Sequence, residues 1–253
     1  MTTAAGLQTV LTVPERFRGP EGTANGGWIS GTLSGLLTGV GHDSAVEVTL
    51  HRPVPLETEL GVAHVGNTLA LGDAERHLAE AIPVAEHLTP PPFVPFTDAA
   101  RAEAGFAGLR GHAIAGCFAC GLREPGDGLR IFPGPVPEAG AVAAGWRVPV
   151  NVTDEDGVVP DSIIWSALDC VTFWAHFGGP DASPDDHPQP GQSALLGRLT
   201  AQVYRRVYPL GRYSVVGRVS GREGRKLFGE SAVYEVDGTL VAAAKATWIV
   251  PRA

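Results

Sequence analysis

One pattern of residues occurs twice along the chain, and this limits the possible folds more than any other feature. In the first half, Asn25-Gly26-Gly27 precedes WISGTLSGLL, where Ile29, Leu33, Leu36, Leu37 and Val40 fall at helical spacing. Gly39 or Gly41 is the expected stop. The β-rich VEVTLHRPVPLETELGVAHVG follows, with Val46, Val48 and Leu50 alternating with polar residues. In the second half, Val159-Pro160-Asp161-Ser162 precedes IIWSALDCVTFWAHF. Proline just inside a helix start, with Asp161 or Ser162 as cap, marks an N-terminus. LTAQVYRRVYPLGRYSVVGRVSG is again β-rich, and Arg205-Arg206-Val207-Tyr208-Pro209-Leu210 aligns without a gap on His51-Arg52-Pro53-Val54-Pro55-Leu56. The offset between these β segments exceeds that between the helix starts. The difference is about the length of the Pro/Asp/Gly-rich insertion Gly178–Gly191 (GGPDASPDDHPQPG), which reads as a loop.

More strands close each half, at Thr68–Leu71 and His77–Val84 and at Leu227–Val236 and Leu240–Val250. A helix followed by several antiparallel strands, twice over, predicts an α+β chain with one sheet wrapped around a buried helix in each half. The first helix carries Gly27, Gly31 and Gly35 at every fourth position. Each glycine costs roughly 1 kcal/mol against alanine, so this face predicts close approach by a neighbouring element. Thr89-Pro90-Pro91-Pro92 and Pro95 mark an extended linker, with some helix in Asp98–Ala107. The expected division is 1–88 for the N-terminal half, 89–111 for the linker and 112–253 for the C-terminal half.

Composition narrows the function classes. Hydrophobic residues make up 44% and charged residues 18%, which is globular rather than disordered. A net charge of -8 argues against general affinity for nucleic acid or anionic membrane. No apolar run reaches the ~20 residues of a membrane span, and the N-terminus lacks a signal-peptide pattern. Three cysteines, an odd number, favour a reducing, cytoplasmic compartment.

The run F-R-G-P-x-G-T-A-N-G-G-W-I-S-G (Phe17 to Gly31), followed by V-T-L-H-R-P-V-P-L, resembles the N-terminal half of tandem (double) hotdog acyl-CoA thioesterases. C-F-A-C-G (Cys117 to Gly121), then G-D-G-L-R-I-F and P-D-S-I-I-W-S-A-L-D-C, resembles thioesterase-like hotdog proteins of actinobacteria. The resemblance covers nearly the whole chain outside the linker and the Gly178–Gly191 loop. It implies a double hotdog in which the thioester sits at the N-terminus of one half's central helix and a carboxylate comes from the other half. Unpaired N–H groups and the positive dipole end suit a thioester oxygen that gains charge, and a carboxylate can activate water.

Asp169 best matches that carboxylate. It lies nine residues after Pro160 in an otherwise apolar helix, where a charge is expensive without a partner or a purpose. Trp165, Asp169, Thr172, Phe173 and His176 share one helical face, an acid framed by aromatics that could line an acyl pocket. The same step from Asn25 lands on Ser34, so the expectation is one site per chain, with Asn25 catalytic and Gly26, Gly27 and Trp28 binding substrate. Asn25 is also a good N-cap, and capping alone would explain it. Trp28, Trp165 and Trp174 hint at a bulky acyl group, although tryptophans at helical spacing also build cores. The resemblance also implies Thr and Gln partners on strands. Gly197 and Ala246 stand near those positions, with Thr200, Gln202 and Lys245 only nearby.

Cys117-x-x-Cys120, with His112 upstream, invites a zinc reading, but the remaining cysteine, Cys170, lies on the predicted helix. The pair therefore reads as a structural turn, with no metal and no cofactor expected other than coenzyme A as part of the substrate. Arg218, Arg222, Arg225 and Lys226 form a basic hairpin that could hold a phosphate but reads first as solvated charge. Asp185, Asp186 and His187 read as exposed loop residues. No nucleophile elbow, P-loop or dinucleotide fingerprint occurs. The expected function is hydrolysis of an acyl-CoA or acyl-carrier-protein thioester by a homodimer of tandem chains. A non-catalytic acyl-ligand binding module is the alternative, and a hotdog hydratase or dehydratase the weaker third.

Overall fold

The computed structural model describes residues 9–37, 44–180, 182 and 194–252. The first half comprises β1 (Thr9–Leu11), α1 (Gly26–Leu36), β2 (Ala45–Leu50), β3 (Leu60–Val65), β4 (Thr68–Gly72) and β5 (His77–Val84). A connecting segment with α2 (Phe96–Ala102) leads to β6 (Gly134–Val136), β7 (Ala141–Arg147), α3 (Asp161–Gly178), β8 (Leu195–Val203), β9 (Arg212–Glu223), β10 (Lys226–Glu235) and β11 (Leu240–Ile249). The helix-then-strands pattern read from sequence is therefore present in both halves. The expected stops at Gly39 and Gly41, with Val40, lie outside the described residues, as do Asp185, Asp186 and His187. α1 already ends at Leu36, where the Leu37 N–H bonds Ser34 O.

One expectation needs correction. Instead of a sheet for each half, the strands form one 11-stranded antiparallel sheet in the order β1-β3-β4-β5-β2-β8-β11-β10-β9-β7-β6. The halves join through β2 and β8, which pair Val46 with Ala201 and Val48 with Leu199. These are the first strands after each central helix. Left alone, each would present a valine- and leucine-bearing edge of unpaired N–H and C=O groups, and pairing removes both edges at once. His51–Leu56 and Arg205–Leu210, which align in sequence, are the turns that follow these two strands rather than parts of them.

The cap of α3 also differs. Pro160 itself occupies the N-cap position with φ -64°, no side chain caps the helix, and Asp161 is the first helical residue. Proline suits that boundary because its fixed φ is compatible with entering a helix and it has no N–H to leave unpaired. Every residue of α3 from Ser162 to Ala175 is buried, between the sheet strands β7 to β11 and α1. A helix that is buried on all sides has no polar face to show, which explains its apolar run.

The glycine face of α1 is what allows the two helices to meet. A Cβ at Gly31 would lie 2.5 Å from Ser162 Cα, and one at Gly27 would lie 2.5 Å from Trp165 O and 2.6 Å from Asp169 Cβ. Gly35 faces open space. The neighbour that the glycines admit is thus the other helix, not the sheet. The connecting segment crosses the opposite face, where Val94 and Ala99 pack on Ala141, Ala143, Val216 and Ala232.

Candidate active site

The close contact of α1 and α3 brings the start of one helix to the middle of the other. Asn25 caps α1, its Oδ1 accepting the Trp28 N–H at 2.9 Å. Asn25 Nδ2 donates to Asp169 Oδ2 at 3.1 Å, and the Gly27 N–H donates to the same oxygen at 2.9 Å. Asp169 Oδ1 is buried with no hydrogen-bond partner among the described residues. Burial raises the Asp169 carboxyl to about 7, helped by negative charge on Cys117, while the Gly27 N–H, the Asn25 amide and the Cys170 thiol pull it down.

This cluster forms one wall of a cavity of about 260 Å³ between the halves. Asn25, Gly26, Cys117, Asp169 and Cys170 lie on that wall, and Ile29, Val54, Ile114, Leu196, Trp248 and Ile249 make the lining mainly apolar. His51 and Arg52, both exposed, stand on the turn after β2 and border the cavity. Of the first-turn donors of α1, Gly27 serves Asp169 and Trp28 serves the cap. The Gly26 N–H bonds none of the described residues, and Gly26 lines the cavity.

The residues singled out in the sequence divide into two groups. Asn25, Gly26, Gly27 and Asp169 come together as described. Trp28 stacks on Phe17 at 4.3 Å between ring centroids and fixes the segment before α1. Trp165 is buried under α1, Thr172 Oγ1 bonds Asp169 O at 2.7 Å and Trp248 Nε1 at 2.8 Å, and Phe173 packs on Trp248. His176 Nε2 lies 3.0 Å from Phe228 O. None of Trp28, Trp165, Thr172, Phe173 and His176 borders the cavity. Of the residues that share this helical face, Asp169 reaches the cavity, while α1 and the sheet take up the others.

Strand register accounts for Thr200, Gln202 and Lys245. Lys245 pairs with Thr200, which pairs with Glu47, and Thr200 and Lys245 engage Glu47 and Glu86. Gln202 lies two residues on and shares their face. This face is turned away from α3, so the three are not partners of Asp169. Arg218 of the basic hairpin is paired to Glu230 at 2.6 Å.

Cys117-x-x-Cys120, read from sequence as a structural turn with Cys170 apart on the helix, meets that third thiol in the structure. Cys117 Sγ lies 3.6 Å from Cys170 Sγ and within 3.6 Å of Asn25 Nδ2. Donors from the Cys120 and Cys170 thiols and the backbone N–H groups of Cys120 and Ala119 converge on Cys117, holding its thiol well below the ordinary range. His112 is occupied elsewhere: Nδ1 accepts the Ile114 N–H and Nε2 lies 3.0 Å from Cys120 O. The Cys-x-x-Cys spacing was legible in the sequence, but nothing local to it showed that Cys170 would join the pair.

Known structures share the fold over nearly the full chain. A TesB protein of Mycobacterium avium subsp. paratuberculosis superposes with a TM-score of 0.58 at 13% identity, covering 97% of this chain and 93% of that one. The chain has the double hotdog fold. A hotdog-fold protein of unknown function from Alicyclobacillus acidocaldarius matches at 0.57 and 13% identity, covering 99% and 96%. The 12:0-ACP thioesterase of Umbellularia californica matches at 0.50 and 12% identity, covering 97% and 94%. No family model matches the sequence, and a search of curated proteins finds no match. Among the described residues no helix is long and apolar enough to cross a membrane.

Proposed function

We propose that the chain hydrolyses an acyl thioester of coenzyme A or an acyl carrier protein in the cavity between its halves. The observation that carries this reading is the buried Asp169 carboxyl, held by the Gly27 N–H and Asn25 at the N-terminus of α1 on the wall of an apolar cavity. The acyl chain would lie against Ile29, Leu196 and Trp248. Water attacks the carbonyl carbon, Asp169 takes its proton, and the thiolate leaves as the acid forms. The Gly26 N–H and the positive end of α1 stabilise the oxygen as it gains charge. Of the helix-start glycines expected to bind the thioester, Gly27 has its N–H engaged by Asp169, which leaves the role to Gly26. Arg52 at the cavity border suits a coenzyme A phosphate. The protein would work in the cytoplasm as a homodimer. The connecting segment packs on β7, β9 and β10, so the second copy would meet the outer face of the N-terminal half.

One observation favours a non-catalytic acyl-ligand binding module instead: Thr200 and Lys245 engage Glu47 and Glu86 on the face turned away from Asp169. A hydratase or dehydratase finds less support, since His176 is bonded to Phe228 O and stands outside the cavity. Incubation with a broad acyl-CoA and acyl-carrier-protein panel, read by mass spectrometry, separates the three. Release of free acid supports hydrolysis. Retention of intact thioester supports the binding module, and conversion of enoyl to hydroxyacyl thioester supports the third reading.

A further inference from the structure

The CxxCG turn and α3 carry a group of side chains that thioester hydrolysis does not require. Cys117, Cys120 and Cys170 are all free and buried, and their three Sγ atoms lie within 4.8 Å of one another. Cys117 and Cys120 come from one tight turn, in which the Gly121 N–H bonds Cys117 O at 2.9 Å. A Cβ at position 121 would lie 2.3 Å from that oxygen, so the turn requires glycine. Cys170 comes from α3, 53 residues away, and places its sulfur 3.6 Å from Cys117 Sγ.

We propose that Cys117, Cys120 and Cys170 bind one zinc ion at the inner wall of the cavity, with the fourth ligand position on the side of Asp169. Zinc–sulfur bonds of about 2.3 Å in tetrahedral geometry put sulfurs about 3.8 Å apart, near the observed separation. A disulfide needs about 2.0 Å, would use two sulfurs and would strand the third. Three thiols are a soft donor set, which suits a d10 cation and not calcium or magnesium. The surroundings resemble an outer shell: Asn25 Nδ2 reaches both Cys117 and Cys170, and His112 pins Cys120 O. A separate feature points the same way. Asp169 Oδ1 is buried with no partner among the described residues, and Asp169 Oδ2 lies 3.9 Å from Cys170 Sγ. A ligand seated on the thiols would give that carboxyl a neighbour.

The test is metal content of the full chain purified under reducing conditions, measured by elemental mass spectrometry after zinc reconstitution and desalting. The expected result is one zinc per chain, with none retained by Cys120→Ser or Cys170→Ser. Should those variants fail to fold, cobalt(II) added to the metal-free wild type gives a second readout. A sulfur-to-cobalt charge-transfer band that zinc abolishes is expected. Substoichiometric zinc with no cobalt band, preferential loading of copper(I), or a Cys117–Cys170 disulfide in the reduced preparation would each overturn the proposal. Neither readout uses hydrolysis, so this proposal and the thioesterase reading can fail separately.

Discussion

Asp169 Oδ2 and the Gly27 N–H are 2.9 Å apart, and a Cβ at position 27 would lie 2.6 Å from Asp169 Cβ. The bond therefore exists only because residue 27 has no side chain. The same glycine packs the helices and positions the carboxyl, so fold and site share one constraint. Asp169→Asn removes the proton acceptor while keeping the shape. Thioester hydrolysis is expected to fall at least ~10²-fold, with unchanged circular dichroism. A folded variant with the wild-type rate would remove Asp169 from the reaction.

Glycines 31 and 35 make a matched pair. Gly31→Ala forces a methyl toward Ser162 Cα and Trp165, and is expected to destabilise the chain by about 1–3 kcal/mol. Gly35→Ala meets nothing within 4 Å on the exposed side of the helix and should stabilise it by about 0.5–1 kcal/mol. Urea denaturation midpoints at constant m-value measure both. Equal effects would mean that the helices do not meet through this face.

Asn25 has two separable roles. Asn25→Ser keeps a capping oxygen for the Trp28 N–H but loses the Nδ2 bond to Asp169, so activity should fall with stability nearly retained. Asn25→Ala loses both, at an added cost of about 1 kcal/mol. Similar stability and activity in the two variants would count against the division.

His176 gives the fold an acid sensitivity. Burial lowers its pKa below the ordinary 6.5, nearby Arg222 adds to this, and the contact with Phe228 O only partly opposes it. The folded state holds the neutral ring, so between the two pKa values the unfolded chain binds more protons. This contribution is complete above 6.5 and lost as pH falls through the folded value. His176→Gln, which can still donate to Phe228 O, should flatten stability against pH in that range. An unchanged slope would assign the sensitivity to other groups.

Helix-then-strands, twice, was legible in the residues because helical and strand periodicities are local properties of the chain. So were the cap at Asn25, the need for close packing at Gly27 and Gly31, and the anomaly of an acid at position 169. Three matters depended on contacts between distant segments. The single sheet comes from β2 meeting β8, an edge pairing to which neither half alone points. The direction of Trp165, Phe173 and His176 was set by which sides of α3 the sheet and α1 occupy. The gathering of Cys117, Cys120 and Cys170 depends on a turn and a helix whose separation in sequence hides their contact. Periodicity shows which residues share a face. What that face meets is decided only when the other elements pack against it.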